Sequence, residues 1–225
     1  MRLYNPDFKP FEQTLLTPRQ LHHLSVRRFR PNRETLYIFN DQHGVWKVVF
    51  HNDTNIIPVE SISSAKKTPK LALAFGLIRS AHLSDFLQKA VELGVTDFFP
   101  LQTDFSQTYP LKMDKLEQVM IDAIQQSERL TLPTIHPIID LKTLCQKIEN
   151  FTFFSAIERE SSHSLFDIHE KNMNRCIVIG PEGGWSLNEK KFLTDHTRPY
   201  SLGHSILKVE TAMILSIGYC AFLFD

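Results

Sequence analysis

Between Ser80 and Val95 the chain reads SAHLSDFLQKAVELGV, with Leu83, Phe86, Leu87, Ala90 and Val91 recurring at three- and four-residue intervals. That spacing lines one face of an α-helix, and Gly94 just beyond it suits the left-handed residue that closes a helix. The flanking stretches follow a different rule. KLALAFGLI before it and TDFFPLQ after it are short apolar runs suited to buried strands. The alternation continues with a long helix from Lys112 to Leu130, strands at FTFFSAI and CIVIGP, and a helix at SLNEKKFLTDH. The last carries Ser186 as N-cap and Glu189 three residues later, a capping box. PYSLG reads as a short strand and KVETAMILSIGYCAFLF as a strongly apolar closing helix. Strands alternating with helices predict an α/β domain with a mainly parallel sheet.

The first 65 or so residues are patterned otherwise. ETLYIFNDQHGVWKVVFHND alternates β-formers around Asp41-Gln42-His43-Gly44, which reads as a β-hairpin. Ahead of it, Thr17 and Pro18 suit the N-cap and first position of a short helix that ends before Pro31. SISSAKKTPK, Ser61 to Lys70, lacks apolar periodicity and carries three lysines and a proline, as an interdomain linker would. The pattern predicts a small β-rich domain over 1–65 and an α/β domain over 66–225.

Composition narrows the class. With 42% apolar and 22% charged residues, the 225-residue chain has the make-up of a globular protein rather than a disordered one. No apolar run reaches membrane-spanning length, and the first residues lack the apolar core of a signal peptide, so a cytoplasmic location is expected. Cys145, Cys176 and Cys220 are scattered and in no metal-ligand spacing, as reduced buried thiols would be. The histidines His43, His51, His82, His136, His163, His169 and His196 also show none, so no metal is expected and they read as surface or satisfied polar groups. Net charge is zero, so any pull on nucleic acid must come from local patches. One such patch exists: between Arg19 and Arg33 there are five arginines, two histidines and no acid.

Two segments carry candidate chemistry. In CIVIGPEGGWS an apolar strand runs into a glycine turn and a helix start, the place where parallel α/β sheets bind ligands. Gly180, Gly183 and Gly184 allow positive φ and close backbone approach, and Pro181 stiffens the turn. The spacing fits neither a dinucleotide fingerprint nor a phosphate loop. A tight connection and a ligand site both fit these residues, and Glu182 between glycines tilts the balance towards a site. YSLGHSILKVETA repeats the strand-to-glycine arrangement and leads Lys208 and Glu210 into an apolar helix. Alone, that pair fits a solvated helix start as well as reactive groups. Two such turns on one sheet edge are the stronger signal.

These segments resemble the paired signature of the RsmE family of SPOUT methyltransferases, I-G-P-E-G-G and then L-G-x-R-I-L-R-x-E-T-A. The resemblance extends to LQKAVELGVTDFFPLQT, to AIQQSERLTLPTI and to the amino-terminal HHLSVRRFR, five blocks in order. It implies methyl transfer from S-adenosylmethionine to N3 of a uridine in the decoding region of 16S rRNA in the small ribosomal subunit. It further implies a PUA-like RNA-binding β-barrel over 1–65, a SPOUT domain with a deep trefoil knot over 66–225, and a homodimer. By the same resemblance Ile179, Gly180, Pro181, Glu182, Gly183 and Gly184 form one cofactor wall. Ser201, Leu202, Gly203, Ile206 and Leu207 form another, and Ala156, Ile157 and Glu158 a third. Lys208 would stabilise developing negative charge, and Glu182 or Glu210 would take the N3 proton. RNA contacts fall on Arg19, Arg27, Arg28 and Arg30, with Lys89, Gln125, Gln126 and Arg129 behind them.

The chain departs from the pattern where cations are usual. Lys208 and Ser205 stand in place of arginines, Val209 in place of threonine, and Asp104 and Phe105 in place of Glu-Arg. Lysine keeps a charge but loses the planar fork of arginine. These losses keep two alternatives open: methylation of another RNA position, or a non-catalytic RNA-binding relative.

Overall fold

The computed structural model describes residues 1–225 except Asn32, 65–68, 158–162, Ile168, 170–172 and 224–225. The chain divides into two compact units, one comprising Met1–Lys67 with Ile124–Leu132 and the other Thr68–Ala123 with Pro133–Asp225.

The first unit holds a five-stranded sheet and one helix. Its strands are β1 (Arg2–Tyr4), β2 (Thr14–Leu15), β3 (Tyr37–Asn40), β4 (Gly44–Phe50) and β5 (Asn55–Ser63), in spatial order β1-β3-β4-β5-β2. The expected hairpin is β3 against β4, antiparallel, with Asn40 opposite Gly44. The Asn40 side-chain oxygen accepts from the backbone N–H groups of Gln42 and His43 at 3.2 and 2.7 Å, which shapes the turn. Helix α1 (Pro18–Val26) starts on Thr17, whose hydroxyl accepts from Gln20 N–H while the Gln20 side chain accepts from Thr17 N–H. Leu3, Phe8, Leu16, Leu24, Leu36, Ile38, Val48 and Ile56 form its core.

One expectation fails here. The linker reading of Ser61 to Lys70 is too long, because Ser61, Ile62 and Ser63 belong to β5 and pair with Trp46 and Val45 across irregular register. This half of β5 is exposed on both faces from Val59 onwards, so no alternation marks it as a strand.

The second unit is a parallel six-stranded sheet with helices packed around it. It runs β6 (Leu71–Gly76), α2 (Ser80–Glu92), β7 (Asp97–Leu101), α3 (Met113–Ser127, whose residues from Ile124 belong to the first unit), β8 (Thr134–Ile135), α4 (Leu141–Lys147) and β9 (Thr152–Ala156). A 3₁₀ turn at Leu165–Asp167 precedes β10 (Arg175–Ile179), α5 (Leu187–His196), β11 (Arg198–Tyr200) and α6 (Val209–Phe222). The strand order is β11-β9-β10-β6-β7-β8, every pair parallel. The strands β6, β7 and β10 are buried along their whole length, which is why they read as unbroken apolar runs. The five residues picked out on α2 by periodicity are its buried residues. Among the described residues no helix is long and apolar enough to cross a membrane.

Three helices close with the same arrangement. At the end of α2, Gly94 (φ 108°) donates to Val91 and Val95 to Ala90, a Schellman motif with glycine at the left-handed position. At the end of α3, Glu128 (φ 59°) takes that position and pairs with Arg2 at 3.0 Å within the first unit. At the end of α1 the position is held by Arg28 (φ 53°), with Arg28 donating to Ser25 and Phe29 to Leu24.

Candidate functional site

The parallel strands deliver their carboxyl ends to one edge, and there a cavity of about 620 Å³ opens. Three chain segments supply most of its lining. The end of β9 contributes Ala156 and Ile157, the turn after β10 contributes Ile179 to Gly184, and the loop after β11 contributes Leu202, Gly203, Ile206, Leu207 and Lys208. Ile157 N–H donates to Tyr200 O at 3.1 Å, tying the first segment to the strand that leads into the third. The volume lies within the range of small-molecule and cofactor pockets.

The turn after β10 is built by close packing. Gly184 N–H donates to Pro181 O at 2.9 Å, and Gly184 has φ 72°. A Cβ on Gly183 would come within 2.7 Å of Phe105 Cβ, and one on Gly180 within 3.1 Å of the Trp185 ring. From below, a Cβ on Gly76 would meet Pro181 at 2.5 Å. Trp185 is buried and its indole N–H donates to Ala156 O at 3.0 Å, linking the β9 and β10 segments. The Ser186–Glu189 capping box forms in both directions, and the second Glu189 oxygen accepts from Asp104 N–H at 2.9 Å. One carboxylate thus clamps the start of α5 to the segment that carries Phe105.

The loop after β11 is built differently. Gly203 has φ 109°, and nothing lies within 4 Å of where its Cβ would be. Ser201, expected in the cavity wall, is not among its lining residues. Its hydroxyl accepts from Gly203 N–H at 3.1 Å and so shapes the loop instead. Ile206 is 64% exposed, so this wall has an apolar side chain in open solvent. Lys208 is the N-cap of α6 but makes no side-chain cap bond, since an ammonium cannot accept one. Helix α6 therefore presents the positive end of its dipole to the cavity. Behind it, the buried Tyr200 hydroxyl donates to Ser216 at 2.8 Å, and Ser216 in turn to Ala212 O at 2.7 Å. Burial pushes the Tyr200 phenol up, so it stays protonated.

The cavity brings together the three residues singled out for chemistry, Glu182, Lys208 and Glu210. Glu182 is exposed, and its carboxylate accepts from Arg79 N–H at 2.9 Å. Nearby, the Tyr109 hydroxyl donates to Ile78 O at 2.7 Å. Its phenol is pushed up by burial and then by the charge of Glu182. Sequence reasoning missed Arg79, His82, Trp185, Lys190, Ser205, Val209 and Ala212 as lining residues. Trp185 had a usable signal, an aromatic directly after a glycine turn and before a helix cap. Arg79, His82 and Lys190 come from other elements and carry none. Glu158 lies outside the described residues.

Among the RNA candidates, Arg19, Arg27, Arg28 and Arg30 are exposed on the first unit. Lys89 and Gln126 are exposed as well. Gln125 is structurally committed, its side-chain oxygen accepting from Tyr4 N–H at 3.0 Å. Arg129 is half-buried, and burial draws its guanidinium below the ordinary value. It has less surface to offer than Arg19, Arg27, Arg28 and Arg30. Among the described residues no cluster of histidine, cysteine, aspartate or glutamate could hold a metal ion. Burial lifts the thiols of Cys145 and Cys220 to about 11, and Cys176 is buried too.

The backbone-lined cavity suits a ligand recognised by N–H and C=O groups rather than by a phosphate cradle. Comparison with known proteins agrees with the architecture. The ribosomal RNA small subunit methyltransferase E of Rickettsia conorii is 28% identical over 91% of this chain and 87% of its own. A crystal structure of ribosomal RNA small subunit methyltransferase E from Neisseria gonorrhoeae, bound to S-adenosyl methionine, superposes with a TM-score of 0.87 at 24% identity, covering 99% of this chain and 97% of the other. A Legionella pneumophila methyltransferase structure in complex with the cofactor SAM gives 0.84 at 23% identity, covering 97% and 95%. The model of the RNA methyltransferase domain matches residues 65–221, well over half of the sequence and all of the cavity, and the chain belongs to that RNA methyltransferase family.

Proposed function

We propose that the protein transfers the methyl group of S-adenosylmethionine to N3 of a uridine in the decoding region of 16S rRNA in the small ribosomal subunit. The observation that carries this reading is the convergence of two glycine turns and the α6 N-terminus on one cavity that also holds Glu182, Lys208 and Glu210. The residues present fit the donor. Bare backbone at Gly180, Gly183 and Gly203 gives polar edges to an adenine, Ile157, Ile206 and Leu207 give it apolar faces, and carboxylates suit a sulfonium. When bound, S-adenosylmethionine supplies an electrophilic methyl group.

The chain's own residues then have to manage one proton and one negative charge. The uracil N3–H is weakly acidic, so its proton has to leave as the ring nitrogen becomes nucleophilic, and a carboxylate of the cavity can receive or relay it. Glu182 is held by Arg79 N–H and lines the cavity, which suits it to this task; Glu210, in the first turn of α6, is the second candidate. The anion left on the base is stabilised by the Lys208 ammonium and by the positive end of the α6 dipole.

The finer architecture belongs to the same reading. We take the first unit as a PUA-like RNA-binding domain, with Arg19, Arg27, Arg28 and Arg30 on phosphates. We take the second as a SPOUT domain with a trefoil knot, supported by β9 lying between β10 and β11 out of chain order. A homodimer is supported by Ile214, Leu215 and Phe222, which leave an apolar face of α6 exposed.

The test is methylation of small subunits lacking the modification, followed by mass-spectrometric mapping of the rRNA. Methyl on N3 of one decoding-region uridine supports the proposal. Methyl on another nucleotide, or on tRNA, overturns it in favour of a related RNA methyltransferase, a reading favoured by Ser205, Phe105 and Lys208 standing where arginines are usual.

A further inference from the structure

The first unit holds a second cavity, of about 460 Å³, lined by none of the residues of the main site. Its apolar lining comes from Leu21 and Leu24 on α1, Phe29 just beyond it, and Phe50 at the end of β4. The Phe29 and Phe50 rings lie 6.0 Å apart and 31° from parallel. Ser25 opens onto it from the exposed side of α1, and Asn52 and Asp53 add polar groups. Arg28 and Arg30 flank the lining residue Phe29 in the chain, with Arg27 and Arg33 next along; all four are exposed and, among the described residues, in no ion pair.

The helix ending explains how these groups come together. The Schellman closure of α1 turns the chain so that Phe29 packs back on Leu24, the usual apolar contact of that motif. Its left-handed position would ordinarily go to glycine, as it does at Gly94. Glu128 in the equivalent place on α3 has Arg2 as its partner. Arg28 at φ 53° has no such partner and accepts backbone strain of about 1 kcal/mol. Strain of this kind gathers at binding sites, where the side chain is needed more than the local stability.

We propose that this pocket receives one unpaired nucleobase of an RNA strand, with Arg27, Arg28 and Arg30 holding the phosphates on either side. An aromatic-lined pocket whose lining aromatic is flanked in the chain by exposed arginines suits single-stranded nucleic acid, and Asp53 on its rim leaves the phosphates to the arginine side. A duplex cannot use it, because its bases are stacked away. The proposal rests on reading Arg27, Arg28 and Arg30 as RNA contacts, but not on the methyl-transfer reaction.

The test is fluorescence anisotropy of a labelled eight-nucleotide single-stranded RNA, and of the same sequence as a duplex, titrated with the full chain without S-adenosylmethionine. Ser25→Trp, at an exposed helix position, fills the pocket and should weaken single-strand binding roughly tenfold while leaving the salt dependence unchanged. Arg28→Gly relieves the strained position, so its unfolding midpoint should hold or rise while RNA affinity falls and the salt slope drops by about one. A 4-thiouridine strand should crosslink to the peptides carrying Phe29 or Phe50. Single-strand binding by Ser25→Trp equal to that of the unaltered chain, or equal affinity for duplex and single strand, would overturn the pocket. Because no methyl donor is present, such a failure leaves the reaction untouched. Conversely, loss of methyl transfer with intact binding would overturn the reaction alone.

Discussion

The two glycine turns that line the main cavity do the same job by opposite means. In the turn after β10, glycine is required because neighbours leave no room: Gly180 lies under Trp185, Gly183 under Phe105, and Gly76 beneath Pro181. In the loop after β11, Gly203 has open space around it and is required for its φ of 109°. The first wall is a packed, pre-set surface. The second is a bend of backbone with no neighbour packed on Gly203 and with Ile206 exposed. A site so built has one wall set by packing and one set by backbone conformation, and Lys208 follows the second.

The contrast orders the expected effects. Lys208→Met removes the charge that would stabilise the anionic base. Turnover should fall by 10² or more, about 2.7 kcal/mol in the barrier, with binding of S-adenosylmethionine by calorimetry changed only slightly. An unchanged rate would sink the assignment. Gly76→Ala drives a methyl into the Pro181 backbone and should lose about 2–3 kcal/mol in denaturant unfolding, the cost of overpacking a fixed wall. Trp185→Phe keeps an aromatic side chain, smaller than the indole, but leaves Ala156 O without its donor; about 1–2 kcal/mol of stability should go, with weaker donor binding. Gly203→Ala meets no neighbour, so its loss should be about 1 kcal/mol from backbone strain alone. If Gly203→Ala proved costlier than Gly76→Ala, the division into packed and open walls would be wrong.

The smallest effect is a titration. Burial and the charge of Glu182 both push the Tyr109 phenol up. Glu182→Gln should therefore let Tyr109 ionise at lower pH, followed by phenolate absorbance with Tyr109→Phe as the reference. No movement would place Glu182 away from this side of the wall.

How far the sequence carried this picture depended on where each element is buried. Helix α2 was legible because one face packs and the other is wet, so Leu83, Phe86, Leu87, Ala90 and Val91 stand out. The capping box at Ser186 was legible because it is a local device, complete within four residues. The outer half of β5 was not legible, since five successive exposed residues carry no alternation. The two-residue strands β2 and β8 are too short to carry a period, and neither they nor β1 and α4 were marked as separate elements. The cavity divides the same way. Glycines advertise a turn wherever they cluster, so Gly180, Gly183, Gly184 and Gly203 were readable. Arg79, His82 and Lys190 join the cavity only through the tertiary fold. Ser201 shows the limit of reading by adjacency, for it sits beside the cavity residues yet spends its hydroxyl on Gly203.

The claim on which all of this turns is that the two glycine walls enclose the methyl donor. Trp185 lies in that cavity, and Trp46, the other tryptophan, lies in the first unit. Replacing Trp46 with Phe leaves Trp185 as the single indole reporter. Titrating S-adenosylmethionine into that variant should change Trp185 emission saturably, with the same midpoint as the calorimetric binding curve and one site per chain. Binding heat with no change in Trp185 emission would put the donor elsewhere and contradict the account.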